Sequence, residues 1–436
     1  MSLSIIILAA GKGTRMNSER PKVLHEVANY PMLFHILDTV KSLRPKSCNL
    51  VFSDKLKLEF KKIKFSYSSI NFFEQVEQLG TGHAVMSVKM NRSEKNDDIT
   101  LILFADTPLI ETKTLKTLVS KIENNKAELV ILSMKPNDTK NYGRVILKKN
   151  RVEKIVEFSE ASISEKKINL CNSGVMAIKT NTLIDNISKI NNNNSKKEFF
   201  LTDLVEILNK DKKVILHHEC DTKETLGVND RSDLQKVDKI FQEKITKKLL
   251  KKGVTILDSS SVYFSYNTEI GKDSVIYPNV YFGLNVQIGK NVVIKSFSNI
   301  EEVEIKDGCE IGPFARIRNE TKISKNVRIG NFVELKKSYI QEDVKISHLS
   351  YIGDASIGKN TNIGAGTITC NYDGKRKNKT IIGENCFIGS NTSLIAPLEI
   401  EKQSIVGAGT VVKKDVSKGT TVFRKSELVR KKNKRD

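Results

Sequence analysis

A six-residue period runs through the second half of the chain and constrains its fold more than any other feature. Glycine often follows the repeated aliphatic position, a one-residue slip precedes Ile305, and an insertion at 369–380 interrupts the count. The repeated positions are Ile270, Ile276, Phe282, Ile288, Ile294, Ile300, Ile305, Ile311, Ile317, Ile323, Ile329, Leu335, Ile340, Ile346, Ile352, Ile357, Ile363, Ile382, Ile388, Leu394 and Ile400. This period fits neither an α-helix nor an ordinary strand, but it is typical of a parallel β-helix whose coils point one aliphatic residue inward per hexad. An antiparallel sandwich would instead alternate every second residue, with turns every eight to twelve. We therefore predict a hexapeptide-repeat β-helix over residues 253–436, ending in a basic tail.

The first half of the chain alternates apolar runs with helical patterns. Strands are predicted at 4–8, 49–52, 99–104, 128–134 and 174–178, and helices at 32–42, 82–89 and 113–124. This order predicts a Rossmann-like α/β domain over residues 1–230 with a largely parallel sheet, whose ligands bind at the carboxyl ends of the strands. An apolar stripe then predicts one amphipathic helix from Ser232 to Lys252, capped by Ser232 and Gln235 and stopped by Gly253. We interpret residues 231–252 as the linker between the domains.

Composition narrows the class of protein. The formal charge of +21 comes mostly from dispersed lysines without interleaved stacking aromatics, which favours a solvated surface over a nucleic-acid groove. No stretch approaches the roughly 20 apolar residues of a membrane span, and no signal peptide precedes the first strand, so we expect a cytoplasmic protein. The six cysteines form no CxxC pair, which predicts reduced thiols rather than disulfides or a zinc site.

A glycine loop follows the first strand. The strand Ser4 to Leu8 breaks into Ala9-Ala10-Gly11-Lys12-Gly13-Thr14-Arg15-Met16, with Pro21-Lys22 close behind. Small residues let backbone N–H groups approach a phosphate, and Lys12, Arg15 and Lys22 add positive charge. This pattern predicts a nucleotide-phosphate site, although Met16 stands where the Rossmann fingerprint has its third glycine. An ordinary strand-to-helix turn is the alternative.

Other polar groups are predicted at the same edge of the sheet. Asp106 ends a buried strand, where its carboxylate is placed to hold Mg²⁺ between triphosphate oxygens, with Asn229 as a second oxygen ligand. The segment 75–84 opens a helix with two glycines and offers amide donors to a uracil edge or a phosphate, or it is only a helix start. The segments 142–144 and 172–174 and Glu157 offer hydrogen bonds to a sugar.

Charged side chains also interrupt the hexads. Arg318 and Lys336 are eighteen residues apart, which is one coil of three hexads, so they are predicted to project from the same face and to suit a phosphate. His348 is the only histidine after residue 218. A neutral imidazole suits the removal of a proton from an amine that attacks a thioester, whereas the alternative is an ordinary surface histidine.

Five motifs together resemble one bacterial enzyme family over nearly the whole chain. They are LAAGKGTRM at 8–16 followed by Pro21-Lys22, QLGTGHA at 78–84, YGR at 142–144, NSG at 172–174 and IGAGTITCNYDG at 363–374. The family is that of the bifunctional N-acetylglucosamine-1-phosphate uridyltransferase and glucosamine-1-phosphate N-acetyltransferase. The resemblance implies acetyl transfer from acetyl-CoA to glucosamine-1-phosphate, followed by coupling of N-acetylglucosamine-1-phosphate to UTP with release of pyrophosphate. It also implies a left-handed β-helix and a homotrimer with active sites where subunits meet.

The resemblance assigns roles residue by residue. Arg15 and Lys22 would act in uridyl transfer, with Asp106 and Asn229 on Mg²⁺, and His348 would be the base in acetyl transfer. The nucleotide sugar would be held by Leu8, Ala9, Ala10, Gly11, Lys22, Gln75, Gly80, Thr81, Phe104, Ala105, Asp106, Gly143, Glu157, Asn172 and Asn229. Glucosamine-1-phosphate would be held by Arg318, Lys336, Tyr351, Asn362 and Lys377. Acetyl-CoA would be held by Ala365, Asn371, Tyr372, Ser390, Ala408 and Lys425.

Four positions depart from the family pattern. The family usually has Tyr-Gly-Asp where Phe104-Ala105-Asp106 stand, a proline where Asn319 stands, and an arginine for the coenzyme where this chain offers Lys425. Two other functions compete with the bifunctional enzyme: a uridyltransferase whose β-helix is only a scaffold, and a non-catalytic subunit that uses both folds for assembly. His348 and Lys336 argue against the first alternative, and the retained Arg15, Lys22 and Asp106 argue against the second.

Overall fold

The computed structural model describes residues 2–60, 70–92, 98–139, 142–425 and 430–431. It divides into two compact units, Met1–Phe241 and Gln242–Asp436, with the division inside a long helix. Most of the predicted basic tail, at 426–429 and 432–436, lies outside the described residues. Among the described residues, no helix combines the length and the hydropathy needed to cross a membrane.

The first unit is built on one mixed sheet. Its strands run in the order β11-β7-β10-β6-β1-β4-β5, and β8 and β9 form a hairpin beside β10. The strands are β1 (Leu3–Leu8), β4 (Ser47–Phe52), β5 (Ile70–Glu74), β6 (Ile99–Phe104), β7 (Leu129–Met134), β8 (Arg144–Lys148), β9 (Arg151–Val156), β10 (Cys171–Lys179) and β11 (Ile215–Glu219), with β2 (Glu26–Val27) and β3 (Tyr30–Pro31) in a separate ribbon. The Rossmann-like α/β fold is confirmed, and the sequence pattern missed β5, β8, β9 and β11.

Helices cover both faces of this sheet. They are α1 (Met32–Lys41), α2 (Asp54–Phe60), α3 (Thr81–Met86), α4 (Thr112–Asn125), α5 (Thr180–Asn186) and α6 (Leu204–Lys210). A longer helix, α7 (Arg231–Lys251), follows them in the chain. Alternate residues of β1 enter two separate cores: Ile5 and Ile7 pack with α1 and α4, while Ile6 and Leu8 pack with α3 and α6. The period of two along a strand buried on both faces explains this division.

One strand runs against the others and moves a predicted site segment. The strand predicted at 174–178 begins at Cys171 and pairs antiparallel with both β6 and β7. Its first residues therefore lie at the edge where β6 and β7 end, with Asn172 opposite Ser133. The antiparallel direction brings Asn172 to the edge of the sheet at which β6 and β7 end.

The helix α7 corresponds to the predicted linker, with a different cap. The side-chain oxygen Oδ1 of Asp230 accepts a hydrogen bond from the backbone N–H of Asp233 at 2.9 Å. An acceptor at this position satisfies a free N–H of the first turn. Asp230 therefore caps the helix, and the predicted capping by Ser232 and Gln235 is wrong.

The second unit is a left-handed parallel β-helix with three parallel sheets. Sheet I contains Thr255–Ile256, Val275–Ile276, Val293–Ile294, Glu310–Ile311, Arg328–Asn331, Lys345–His348, Asn362–Ile363, Phe387–Ile388, Ile405–Val406 and Thr421–Val422. Sheet II contains Glu269–Ile270, Val286–Ile288, Val303–Ile305, Thr321–Ile323, Tyr339–Ile340, Ala355–Ile357, Thr380–Ile382 and Leu398–Ile400. Sheet III contains Tyr281–Phe282, Asn299–Ile300, Arg316–Arg318, Glu334–Lys336, Tyr351–Gly353, Ile368–Cys370, Ser393–Ile395 and Val411–Val412.

The hexad residues form the core of this β-helix. Every repeated aliphatic position predicted from the sequence is buried, and Phe264 stacks on Phe282 with ring centroids 5.3 Å apart. Glycine is required where coils approach most closely: a Cβ on Gly330 would lie 1.8 Å from the carbonyl oxygen of Ser347 on the next coil. The hexad pattern thus specifies both the interior and the tight stacking of the coils.

Candidate active sites

The glycine loop, Lys22 and Asp106 meet at the carboxyl edge of the first sheet. Backbone hydrogen bonds from Ala9 to Val51 (2.8 Å) and from Ala105 to Leu8 (3.0 Å) align the strand ends. The ammonium group of Lys22 contacts the carboxylate of Asp106. A Cβ on Gly13 would lie 2.7 Å from Cβ of Lys22, so only a glycine allows the loop to fold this closely over the lysine.

Asn229 reaches the same edge from a distant part of the chain. The backbone N–H of Val228 donates to the carbonyl of Asp106 at 2.9 Å. The guanidinium of Arg15 donates to Oδ1 of Asn229 at 3.0 Å. The four residues predicted for phosphoryl chemistry, Arg15, Lys22, Asp106 and Asn229, are therefore assembled at one edge, with each oxygen ligand contacting a cation.

This donor set fits Mg²⁺. Mg²⁺ is usually held by one or two protein oxygens together with substrate phosphates, rather than by a complete protein cage. Asp106 and Asn229 offer a carboxylate and an amide oxygen on backbone segments joined by the Val228 hydrogen bond. Among the described residues, no group of three or more His, Cys, Asp or Glu side chains could hold a metal.

A second group of predicted residues surrounds the start of α3. The buried side chain of Gln75 donates to the carbonyl of Gly80 at 3.1 Å. Gly80 has a φ of 110°, and a Cβ there would lie 2.6 Å from the carbonyl oxygen of Phe199. The hydroxyl of Thr81 accepts a hydrogen bond from the backbone of Leu201 at 3.1 Å. These contacts fix the conformation of the loop at the start of α3.

The predicted sugar-binding groups lie beside the β8–β9 hairpin. The backbone N–H of Asn172 donates to the carbonyl of Gly143 at 2.8 Å. Glu157 accepts a hydrogen bond from the hydroxyl of Thr202 at 3.0 Å. Burial raises the pKa of Glu157, and the Thr202 hydrogen bond opposes this rise. Sequence reasoning missed Thr202, whose only signal is its place before the acidic pair Asp203 and Glu206.

The side chain of Arg144 is buried and binds the surrounding loop instead of facing an open site. Its side chain is 1% exposed, and the guanidinium donates to the carbonyls of Tyr142 and Lys166 and to the hydroxyl of Thr139. It therefore fastens the loop and does not face a sugar, so that part of the sequence interpretation is wrong.

One cavity of the first unit lies away from these groups. It measures about 730 Å³ and is lined by polar residues at the amino ends of the strands, including Ser4, Asn49 and Thr100. No residue predicted for the nucleotide sugar lines it. A cavity of about 610 Å³ includes Asn229 and Tyr142 in its lining.

In the β-helix, His348 ends a strand of sheet I and is held by the coil before it. Its Nδ1 lies 2.6 Å from Oδ1 of Asn331, the residue paired with it in the sheet register. Because an amide oxygen only accepts, this contact favours the neutral tautomer that has its proton on Nδ1 and its lone pair on Nε2. Sequence reasoning missed Asn331, because it lies 17 residues before His348 and not the 18 of three regular hexads.

Arg318, Lys336 and Tyr351 are stacked on sheet III. Arg318 pairs with Lys336 in the register, and Glu334 pairs with Tyr351. Oε1 of Glu334 accepts a hydrogen bond from Nε of Arg318 at 2.8 Å and forms an ion pair with Nη2 of the same guanidinium at 2.7 Å. The side chain of Lys377 lies beside Lys336, whose hydrogen bond and positive charge lower the pKa of Lys377.

The predicted coenzyme residues lie along one corner and one loop. Ala365, Ser390 and Ala408 occupy equivalent places after the buried residue of successive sheet I strands, in line with His348. Asn371 and Tyr372 lie in the insertion, where the hydroxyl of Tyr372 donates to the carbonyl of Gly374 at 2.7 Å. Lys425 is exposed and precedes the residues outside the description.

One chain does not gather the whole acetyl-transfer set. Asn362 and His348 belong to sheet I, whereas Arg318, Lys336 and Tyr351 belong to sheet III. Asn362 pairs with Lys345, which begins the strand that His348 ends. The predicted set is thus divided between two of the three sheets of the β-helix.

The fold and the two sites define a nucleotidyltransferase unit followed by a hexapeptide-repeat transferase unit. Family models match accordingly: a MobA-like NTP transferase domain at residues 5–167, a bacterial transferase hexapeptide at 267–302, a GMPPB C-terminal domain at 299–392 and a succinyl-transferase hexapeptide repeat at 379–414.

Whole-chain relatives are more specific. Proteins named bifunctional protein GlmU match from Paramagnetospirillum magneticum (42% identical; 98% of this chain and 94% of the relative), Zymomonas mobilis (40%; 97% and 94%) and Wolbachia pipientis wMel (40%; 99% of each). The chain belongs to the bifunctional GlmU family. A solved UDP-glucose pyrophosphorylase complexed with UDP-glucose matches 56% of this chain and 100% of its own, at 15% identity with a TM-score of 0.46.

Proposed function

We propose that this protein is a cytoplasmic enzyme that makes UDP-N-acetylglucosamine in two steps. Residues 253–436 acetylate glucosamine-1-phosphate with acetyl-CoA, and residues 1–230 couple the product to UTP and release pyrophosphate, with 231–252 as linker. Family membership and the presence of both sets of site residues support this function. The single observation that carries the uridyl step is the meeting of Arg15, Lys22, Asp106 and Asn229 at one sheet edge.

In the uridyl step, the protein positions phosphates and neutralises charge. A phosphate oxygen of the sugar phosphate attacks the α-phosphorus of UTP and forms a new P–O bond. The bond between the α-phosphorus and the oxygen that bridges it to the β-phosphorus breaks, and pyrophosphate leaves with that oxygen. Arg15 and Lys22 are placed to stabilise charge on the transferring group. Asp106 and Asn229 would hold Mg²⁺, which supplies further positive charge when bound. Leu8 to Gly11, Gln75, Gly80 and Thr81 would hold the nucleotide, and Gly143, Glu157 and Asn172 the sugar.

In the acetyl step, His348 is the proposed base. The amine of glucosamine-1-phosphate attacks the thioester carbon, the C–N bond forms, and the C–S bond breaks with release of the coenzyme thiol. Nε2 of His348 takes the proton that the amine loses, which Nδ1 donation to Asn331 permits. Arg318, Lys336 and Lys377 would bind the phosphate with Tyr351 and Asn362. Ala365, Asn371, Tyr372, Ser390, Ala408 and Lys425 would line the coenzyme site.

A homotrimer is proposed because one chain leaves an apolar corner uncovered beside a divided site. Phe297, Phe314 and Phe332 stack with centroids 4.9 and 5.0 Å apart, and Leu349 follows on the next coil. These four side chains are 54, 44, 54 and 61% exposed. Stacked exposed aromatics indicate an interaction surface, and a neighbouring copy would bring its sheet I or III residues to the incomplete site.

Purified protein with glucosamine-1-phosphate, acetyl-CoA, UTP and Mg²⁺ should release free thiol and pyrophosphate together. His348→Ala should abolish thiol release while pyrophosphate release from added N-acetylglucosamine-1-phosphate continues, and Asp106→Ala should do the reverse. If His348→Ala leaves thiol release intact, the acetyl site is elsewhere. Equal loss of both activities in either variant, with the assembly intact, would contradict two separate sites.

A further inference from the structure

We infer that Asp354 is a positioning residue that couples the sugar-phosphate site to the coenzyme site of the β-helix. This inference rests on the proposed acetyl transfer. Asp354 follows the sheet III strand Tyr351–Gly353 and is not among the residues that the family motifs assign to either substrate.

The carboxylate of Asp354 contacts one residue from each site. Its Oδ2 accepts a hydrogen bond from the side-chain amide of Asn371 at 2.5 Å. The same oxygen lies 3.7 Å from Nζ of Lys336. The side chains of Lys336 and Asp354 are only 12% and 13% exposed, so this ion pair is poorly screened by water.

The backbone of Asp354 also fastens the insertion that carries Asn371 and Lys377. Its N–H donates to the carbonyl of Lys336 at 2.9 Å, and its carbonyl accepts from the N–H of Thr380 at 3.2 Å. The backbone N–H of Asn378 donates to the carbonyl of Asn371 at 2.7 Å, which closes the loop at its base. Asp354 therefore contacts the residues at both ends of the insertion.

Gly353 makes this arrangement possible. A Cβ at Gly353 would lie 2.5 Å from the hydroxyl of Tyr351 and 2.8 Å from Nδ2 of Asn371. Both side chains consequently lie over Gly353, next to Asp354. Tyr351 is a proposed ligand of the sugar phosphate and Asn371 a proposed ligand of the coenzyme, so one glycine accommodates a residue from each site.

The negative charge of the Asp354 carboxylate also acts on the two neighbouring lysines. The ammonium groups of Lys336 and Lys377 lie side by side, and the hydrogen bond and positive charge of Lys336 lower the pKa of Lys377. Asp354 offsets part of the repulsion between these ammonium groups and directs the Lys336 ammonium. Without the negative charge, Lys336 loses its ion-pair partner and the hydrogen bond from Asn371 loses its charged acceptor, so a ligand of each substrate is less firmly oriented.

The test is the full-length Asp354→Asn variant. Asp354 has a φ of 49°, a conformation that asparagine tolerates, so the substitution removes charge without backbone strain. We expect kcat/KM for acetyl transfer to fall about 10- to 100-fold, with KM raised for both glucosamine-1-phosphate and acetyl-CoA. Uridyl transfer from added N-acetylglucosamine-1-phosphate should keep its wild-type rate.

Glu342→Gln is the matched control. It removes the charge from an exposed ion pair of the same β-helix, in which Glu342 lies 3.0 Å from Lys359. This variant should keep both KM values. Wild-type KM values in Asp354→Asn, or a loss of kcat alone that follows a lower melting temperature, would overturn the inference. Absence of acetyl transfer in the wild-type enzyme would instead refute the proposed function.

A second variant covers the case in which Asp354→Asn does not fold. Asn371→Ser keeps a polar side chain but is too short to reach the carboxylate. Asn371 is assigned to acetyl-CoA alone, so a KM for glucosamine-1-phosphate that rises at least about threefold in this variant supports coupling through Asp354. An unchanged KM for glucosamine-1-phosphate overturns it.

Discussion

Replacing Asn331 with alanine should slow acetyl transfer without touching His348 itself. Oδ1 of Asn331 lies 2.6 Å from Nδ1 of the imidazole, and the two residues are paired in adjacent coils. The contact keeps the proton on Nδ1 and the ring in one orientation, so that Nε2 can take the substrate proton. Alanine removes the acceptor and leaves both ring orientation and tautomer free.

The size of the effect follows from the value of one hydrogen bond. A neutral hydrogen bond contributes about 0.5–1.5 kcal/mol, which corresponds to roughly a 2- to 13-fold loss of the productive imidazole. Deleting the base itself should cost about 10²- to 10⁴-fold. Asn331→Ala should therefore lower kcat by roughly tenfold at most, which leaves a kcat well above the residual kcat of His348→Ala.

Release of coenzyme thiol at saturating substrates measures this effect. Asn267→Ala is the matched control, because Asn267 donates to Asn285 at 2.7 Å on the next coil, far along the β-helix from His348. That control should keep full acetyl transfer, and both variants should keep full uridyl transfer. A wild-type kcat in Asn331→Ala, or a loss as large as that of His348→Ala, would refute the reasoning.

Three further predictions concern stability and assembly. Gly330→Ala would place a Cβ 1.8 Å from the Ser347 carbonyl and should destabilise the β-helix by at least about 3 kcal/mol in calorimetry, whereas Gly227→Ala, with no atom within 4 Å, should unfold like the wild type. Burial raises the pKa of Asp203 from 3.8 to about 6, so between these pH values the folded state holds a proton that the unfolded chain has lost. The free energy of unfolding measured in urea should therefore fall as the pH rises from 4 to 6, and Asp203→Asn should lack this pH-dependent part of the stability. Phe314→Asn, at a φ of 55° that asparagine accepts, should convert the proposed trimer to monomers in sedimentation analysis and abolish acetyl transfer while uridyl transfer continues; an intact trimer would contradict the assigned surface.

The amino-acid sequence by itself determined the two folds, because both depend on local periodicity. Six-residue spacing requires inward aliphatic residues on a β-helix, and alternating apolar runs and helical patterns require an α/β sheet. The glycine loop, Lys22 and Asp106 were also predictable, since the ends of adjacent parallel strands meet at one edge.

Only the tertiary structure decided which distant side chains face one another. Arg318 and Lys336 are 18 residues apart in neighbouring coils, but Asn331 and His348 are 17 apart and Cys370 and Ile395 are 25 apart. Because corners and insertions change the length of a coil, hexad counting cannot assign the Asn331–His348 contact or the contacts of Asp354. The antiparallel direction of β10 was equally hidden, since a strand buried on both faces has the same apolar pattern in either direction.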